Sequence, residues 1–276
     1  MTAQALYFPI RAEALRIEPG LRPFGKTDFG NGAADRLFFP RDDGFRRYVA
    51  DKARVLASHP GRNASDVRGA DEEKVVAAAT SWFSDTLRAE GYAETSGRPL
   101  TEVGHLIAED FVVFSQQGRC ADRAIVIHVC FPSGWHPERI LGCTFVQIHA
   151  PVPGFDAITK KSTSLVSSLI HRGPYVRFVW TITADDELDH HPVDGHRFAW
   201  SPSTARAFLR VERQVTVPLS EVSGFIFLIR TYLYALADLP AEQRSILARA
   251  LELMPPDIVR YKNLAGAIPR ALELLR

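Results

Sequence analysis

Arg123-Ala124-Ile125-Val126-Ile127-His128-Val129-Cys130-Phe131 is the stretch that decides the fold. Ile125, Ile127, Val129 and Phe131 alternate with Val126, His128 and Cys130, a period of two that fits an extended chain and not a helix. Pro132-Ser133-Gly134-Trp135-His136-Pro137 then stops it, because proline and glycine do not continue a ladder. Upstream, Phe111 to Gln116 reads as a partner strand across a turn at Gly118. Downstream, Val176 to Thr183, Ala207 to Val217 and Phe225 to Tyr232 carry the same signature. Between the first two strands and the last three lies a crossover. It holds a short helix from Pro137 to Leu141, the rigid turn Ala150-Pro151-Val152-Pro153-Gly154 and a helix from Phe155 to His171.

Around this core the texture is helical. Asp43 to Ser58, with Tyr48, Lys52 and Val55 at helical spacing, predicts one helix. Asp71 to Glu90 predicts a second, with Val75, Val76, Ala79, Trp82, Phe83 and Leu87 as its stripe and Asp71 as N-cap. Residues 1–45 hold too many breakers for regular structure and read as an arm over the surface. Two helices, Ala241 to Met254 and Pro256 to Leu275, split at Pro255-Pro256, close the chain. The expectation is an α+β protein with a five-stranded antiparallel sheet and helices packed on one face. It reads as one domain, 1–276, made of an N-terminal arm and helices (1–100), a core (101–236) and C-terminal helices (237–276).

Composition narrows the function. The 276 residues are 46% hydrophobic and 24% charged, and 33 basic against 32 acidic residues give a net charge of +1. With no basic run, nucleic acid is a poor partner. Met1 to Ile10 is not a secretory signal, and no run reaches the roughly 18 apolar residues of a membrane span. Three cysteines, Cys120, Cys130 and Cys143, fit neither a disulfide framework nor a cysteine-held metal, so the expected compartment is the cytoplasm.

Five segments carry a family resemblance. They are Pro19-Gly20-Leu21-Arg22-Pro23-Phe24; Cys130-Phe131-Pro132-Ser133-Gly134-Trp135 with Ile148-His149-Ala150-Pro151-Val152-Pro153-Gly154; Val176-Arg177-Phe178-Val179-Trp180-Thr181-Ile182; Leu209-Arg210-Val211-Glu212-Arg213-Gln214 with Phe227-Leu228-Ile229-Arg230-Thr231-Tyr232; and Arg260-Tyr261-Lys262-Asn263-Leu264. In this order they resemble the haem-dependent oxidative N-demethylase alpha-subunit family. The resemblance implies a PAS-like core holding haem b, and oxidative removal of a methyl group from a small amine. It also implies dioxygen as oxidant and electrons from a separate flavin and iron–sulfur reductase subunit. The sequence departs from the family pattern at Val179, where an Asn usually precedes the Trp.

Candidate residues follow, each weighed against a plainer role. His149, beside the Pro-Val-Pro turn, is the first choice as iron ligand, since a ligand must be a neutral imidazole held at a fixed angle. Its plainer role is capping the turn. His171 is the second choice, although a helix C-terminus favours histidine without any metal. His128 reads as a satisfied core or surface histidine before a ligand. His190, His191 and His196, among Asp185, Asp186, Glu187, Asp189 and Asp194, read as a solvated loop first and a metal cluster second. Alternation puts Arg210 and Glu212 on one face and Arg213 on the other. Arg213 and Arg230 are candidates to hold haem propionates, with a Glu212–Arg230 ion pair as the structural alternative. Trp180 and Phe145 are core aromatics that could also wall a haem pocket. Tyr261 and Lys262 read as docking residues, and Cys143 as a buried small residue before a thiolate ligand. The leading expectation is an oxygenase subunit. A haem or small-ligand sensing protein without turnover, and a haem-free structural subunit, are the alternatives.

Overall fold

The five apolar runs pair antiparallel in one sheet, and two short segments extend it. The computed structural model describes residues 5–93, 95–116, 122–154, 159, 162–193 and 199–276. Its strands are β1 (Arg22–Pro23), β2 (Asn63–Ser65), β3 (Asp110–Ser115), β4 (Arg123–His128), β5 (Tyr175–Thr183), β6 (Phe208–Leu219) and β7 (Gly224–Ala235). Their order across the sheet is β1-β5-β6-β7-β3-β4-β2. The described α-helices are α1 (Phe45–Ser58), α2 (Ala70–Ala89), α3 (Leu100–Val103), α4 (Phe145–His149), α5 (Ser162–His171), α6 (Ala241–Glu252), α7 (Pro256–Tyr261) and α8 (Ala267–Leu274). None of the described helices is long and apolar enough to cross a membrane.

Directly paired residues share a face, so the register fixes what each side of the sheet presents. On the first face, Val176, Trp180, Val211, Val215, Ile226 and Leu228 are buried. Val75, Ala79, Phe83 and Leu87 of α2 pack on that side against Phe111 and Val113. Phe83 has no exposed surface, and a ring buried that fully contributes about 3 kcal/mol. The C-terminal helices seal the same face beyond Trp180 and Val211. The second face carries Tyr175, Arg177, Val179 and Thr181 of β5 beside Arg210, Glu212, Gln214 and Thr216 of β6. There Val166, Leu169 and Ile170 of α5 pack against Val112, Phe114 and Phe225, with Phe145 and Ile148 of α4 alongside.

Several expectations change. The sheet has seven strands and not five; β1 and β2 are only two and three residues long, too short to show periodicity. Helices lie on both faces, because each face of the sheet is apolar at one end. The N-terminal arm is part of the core: Tyr7, Ile10, Phe24 and Phe39 are all buried. Gly69 is the N-cap of α2, and Asp71 sits inside its first turn, favourable there with the helix dipole. The last expected helix is two, α7 and α8, parted where Asn263 takes a left-handed backbone with φ of 54°. The Leu264 N–H then bonds the Val259 carbonyl at 2.9 Å, a helix-ending turn that Asn tolerates. The Gly118 turn, Cys120, His196 and Asp194, and the first residues of the expected 155–171 helix, lie outside the described residues.

Candidate functional site

The second face is sealed at one end only. α5 covers the sheet around Thr216, where Ser220 Oγ donates to the Ile170 carbonyl at 2.8 Å. Farther along β5 and β6, Arg177, Val179, Glu212 and Gln214 are only half-buried. In register, Arg177 sits beside Gln214 and Val179 beside Glu212. This half-open patch is the candidate site.

α4 brings His149 to it. Thr144 caps this short helix with a capping box: its hydroxyl accepts from the Gln147 N–H at 3.1 Å, and Gln147 Oε1 accepts from the Thr144 N–H at 2.8 Å. His149, the last residue of α4, places Nδ1 2.8 Å from the Phe145 carbonyl. A carbonyl only accepts, so Nδ1 carries the proton and the imidazole is held in the Nε2 lone-pair tautomer. The Phe145 ring lies 4.1 Å from the imidazole, centroid to centroid. Burial holds His149 below its ordinary pKa against the opposing pull of the Phe145 bond, and the Arg177 charge assists. His149 is therefore a neutral, oriented imidazole.

Around it stand charged groups. Burial depresses Arg177, with the Glu212 charge opposing. Its Nε is buried without a hydrogen-bond partner among the described residues, an unmet donor that suits an anion. Glu212 accepts from Gln214 Nε2 at 3.1 Å and lies 3.5 Å from Arg210 Nε. Just past α7, Lys262 Nζ donates to the Trp180 carbonyl at 2.8 Å, on the edge of β5 beyond its pairing with β1. Burial pushes Lys262 down to about 8 while Glu212 opposes that shift.

The sequence-read candidates do not all meet here. His149 and Phe145 lie on the half-open side. Arg213, Arg230 and Trp180 lie on the sealed side, across the sheet, so the five do not surround one ligand. Arg230 is held by Asp42 through bonds of 2.7 and 2.8 Å and stacks 4.0 Å over the Tyr48 ring. Its partner is thus Asp42 and not Glu212. Arg213 donates to the Leu37 carbonyl at 2.8 Å. Trp180 lines a cavity of about 690 Å³ under the N-terminal arm, together with Tyr7, Phe29 and Phe178. Among the described residues that cavity is lined by neither histidine nor cysteine, and burial keeps the Tyr7 phenol protonated, so none of them is a ready iron ligand. His171 is exposed at the C-terminus of α5, where the helix dipole explains it. His128 is buried and stacked on Phe111, with centroids 5.3 Å apart. Cys143 donates to the Arg139 carbonyl at 3.3 Å.

The histidine-rich loop divides. His190 Nε2 lies 2.9 Å from Asp185 Oδ1. His191 instead joins His136 and Glu138, two residues from the loop after β4. Burial would raise Glu138, but hydrogen bonds from its own backbone, His136 and His191 hold it at about 2.

What fold and site define is an α+β protein with one sealed sheet face and one half-open face that presents an oriented imidazole. The chain belongs to the haem-dependent oxidative N-demethylase, alpha subunit-like family, whose family model matches residues 71–269. That span contains the whole half-open face, with His149, Arg177, Glu212 and Lys262.

Sequence reasoning missed Arg177. The signal was present: it is the one charge in the strand Tyr175–Thr183, as Arg230 is in its own. It also missed the pairing of His191 with His136, which lie 55 positions apart (191 − 136) and share no motif.

Proposed function

We propose that the half-open face holds haem b, with His149, through Nε2, as the residue that would ligate its iron and Arg177 as the one that would pair with a propionate. The observation that carries this is the pairing of a neutral, carbonyl-fixed imidazole with a buried, unpartnered guanidinium nitrogen, in a chain of a haem-dependent family. The donor set fits: imidazole is a common haem ligand, and guanidinium suits carboxylates. Phe145, Ile148 and Phe227 give the apolar walls. Two strands, a crossover with helices and then three strands, all in one sheet, support a PAS-like arrangement. Tyr7 and Ile10 share a core cluster with Leu264 and Ala271, which supports reading 1–276 as one domain.

When bound, the haem supplies dioxygen activation for removal of a methyl group from a small amine. Overall, the methylated amine, dioxygen, two electrons and two protons give the demethylated amine, formaldehyde and water. The chain's own residues position the reactants. Phe145 holds His149 in one tautomer, Arg177 anchors an anionic edge, and Glu212 offers a carboxylate to a cationic amine. Val179 lies next to Glu212 and contributes no polar contact where the family pattern has an amide. Electrons come from a separate reductase subunit with flavin and iron–sulfur centres. An alpha subunit-like family description supports a partner chain.

The test is the absorption spectrum of the purified protein reconstituted with haem. A sharp Soret band is expected, lost or shifted in His149→Ala and kept in His171→Ala. No stoichiometric haem uptake by the wild type overturns the proposal, and an unchanged spectrum in His149→Ala overturns the ligand assignment. Amine-dependent oxygen consumption with a reductase then separates an oxygenase from a haem sensor.

A further inference from the structure

His136, Glu138 and His191 converge from two loops, one after β4 and one after β5. Glu138 Oε1 lies 2.9 Å from His136 Nδ1, and Glu138 Oε2 lies 3.2 Å from His191 Nε2. One donor atom from each residue falls within 4.8 Å of the other two. The loops are tied together independently of these side chains. The Gly134 N–H donates to the His190 carbonyl at 3.0 Å, and the His190 N–H donates to the Pro132 carbonyl at 3.1 Å. Arg62 pairs with Asp189 at 2.6 Å beneath them. Pro137 and Pro192 stiffen the backbone beside the three residues.

We propose that His136, Glu138 and His191 bind one divalent transition-metal cation that clasps the loop after β4 to the loop after β5. Two imidazoles and one carboxylate are a donor set that zinc and its neighbours accept, and three protein donors leave a position for water. Bonds of about 2.0–2.2 Å space donor atoms by about 3–3.5 Å. The donor atoms, now within 4.8 Å of one another, must close to that spacing; Glu138 is exposed and free to adjust, whereas His191 is only 6% exposed. His191 Nδ1 accepts the Val193 N–H at 3.3 Å, so in the metal-free chain Nε2 carries the proton and donates it to Glu138. A cation at Nε2 moves that proton to Nδ1 and forfeits the long bond from Val193.

Zinc is the probe. Chelator-treated full chain is titrated with Zn²⁺ by calorimetry, and Co²⁺ absorption reports the donor geometry. One equivalent is expected, with Kd raised on the order of 100-fold in Glu138→Gln and in His191→Ala, since loss of outer partners alone can cost that much. His149→Ala is expected to bind zinc as the wild type does. Glu138 is exposed, so Glu138→Gln stays folded should His191→Ala fail to fold. No saturable uptake by the wild type, or uptake that survives Glu138→Gln, overturns the proposal and leaves a hydrogen-bonded His–Glu–His contact.

Discussion

Replacing Glu109 by Gln should stabilise the protein at alkaline pH and not at acid pH. Glu109 precedes β3 and is 1% exposed, and neither carboxyl oxygen has a hydrogen-bond partner among the described residues. Burial raises its pKa from 4.5 to about 7, although Arg230, Lys52 and Arg213 pull the other way. Below pH 4.5 the group is protonated in both folded and unfolded chains. Between 4.5 and 7 the folded chain holds the extra proton, so stability falls as pH rises, and above 7 the loss is complete. The whole interval is worth about 3 kcal/mol, of which about 2.5 kcal/mol falls between pH 5 and 8.5. Glu109→Gln removes the titration. Urea unfolding of wild type and variant, read as midpoints at unchanged m, measures it. The variant's stability relative to wild type should rise by about 2.5 kcal/mol over that range. Two curves that stay parallel from pH 5 to 8.5 refute the reasoning, because they require Glu109 to have the same pKa in both states.

Two further substitutions probe the two faces separately. Arg230→Met strips the partner from Asp42 and the largest opposing charge from Glu109. It should cost about 3 kcal/mol, the lower end for a broken buried pair because Asp42 is partly hydrated, and lower Tm by about 6–12 °C. The haem spectrum of the folded protein should not change, since Arg230 faces away from His149. Thr144→Ala removes the capping box of α4. A cap is worth about 1 kcal/mol, so haem retention should weaken about fivefold while global stability barely moves. A haem dissociation rate equal to wild type would mean that α4 does not position the ligand.

The strands and long helices were legible because their signals are local. The alternation in 123–131 and the stripe of Val75, Ala79, Phe83 and Leu87 each settle a face from neighbouring residues alone. The extra strands were not legible. Asn63 pairs with His128 and Arg22 with Val176 through backbone groups that any residue supplies. The break at Asn263 was readable in principle, since Asn is among the few residues at ease with positive φ. Of the candidate site, His149 was legible as a candidate from its rigid setting, which is also a local property. Its tautomer was not, because that depends on the Phe145 carbonyl one helical turn back in a helix the sequence did not announce.

The arginines show why type and alternation do not assign a role. Arg210, Arg213 and Arg230 are all fully buried, and any of them could be read as awaiting an anionic ligand. Arg230 finds its anion in Asp42, 188 residues away along the chain. Arg213 and Arg210 spend donors on the carbonyls of Leu37, Leu188 and Phe131. These partners come from loops whose placement only the folded chain reveals. Arg210 Nε and Arg230 Nε and Nη1 are also buried without a partner, but other donors hold those two side chains. Arg177 differs in making no side-chain hydrogen bond among the described residues, beside a neutral imidazole. An unmet charged donor costs free energy unless something outside the chain satisfies it. That difference supports the proposed ligand beside Arg177, while Arg210, Arg213 and Arg230 are tied into the fold by Leu188, Phe131, Leu37 and Asp42.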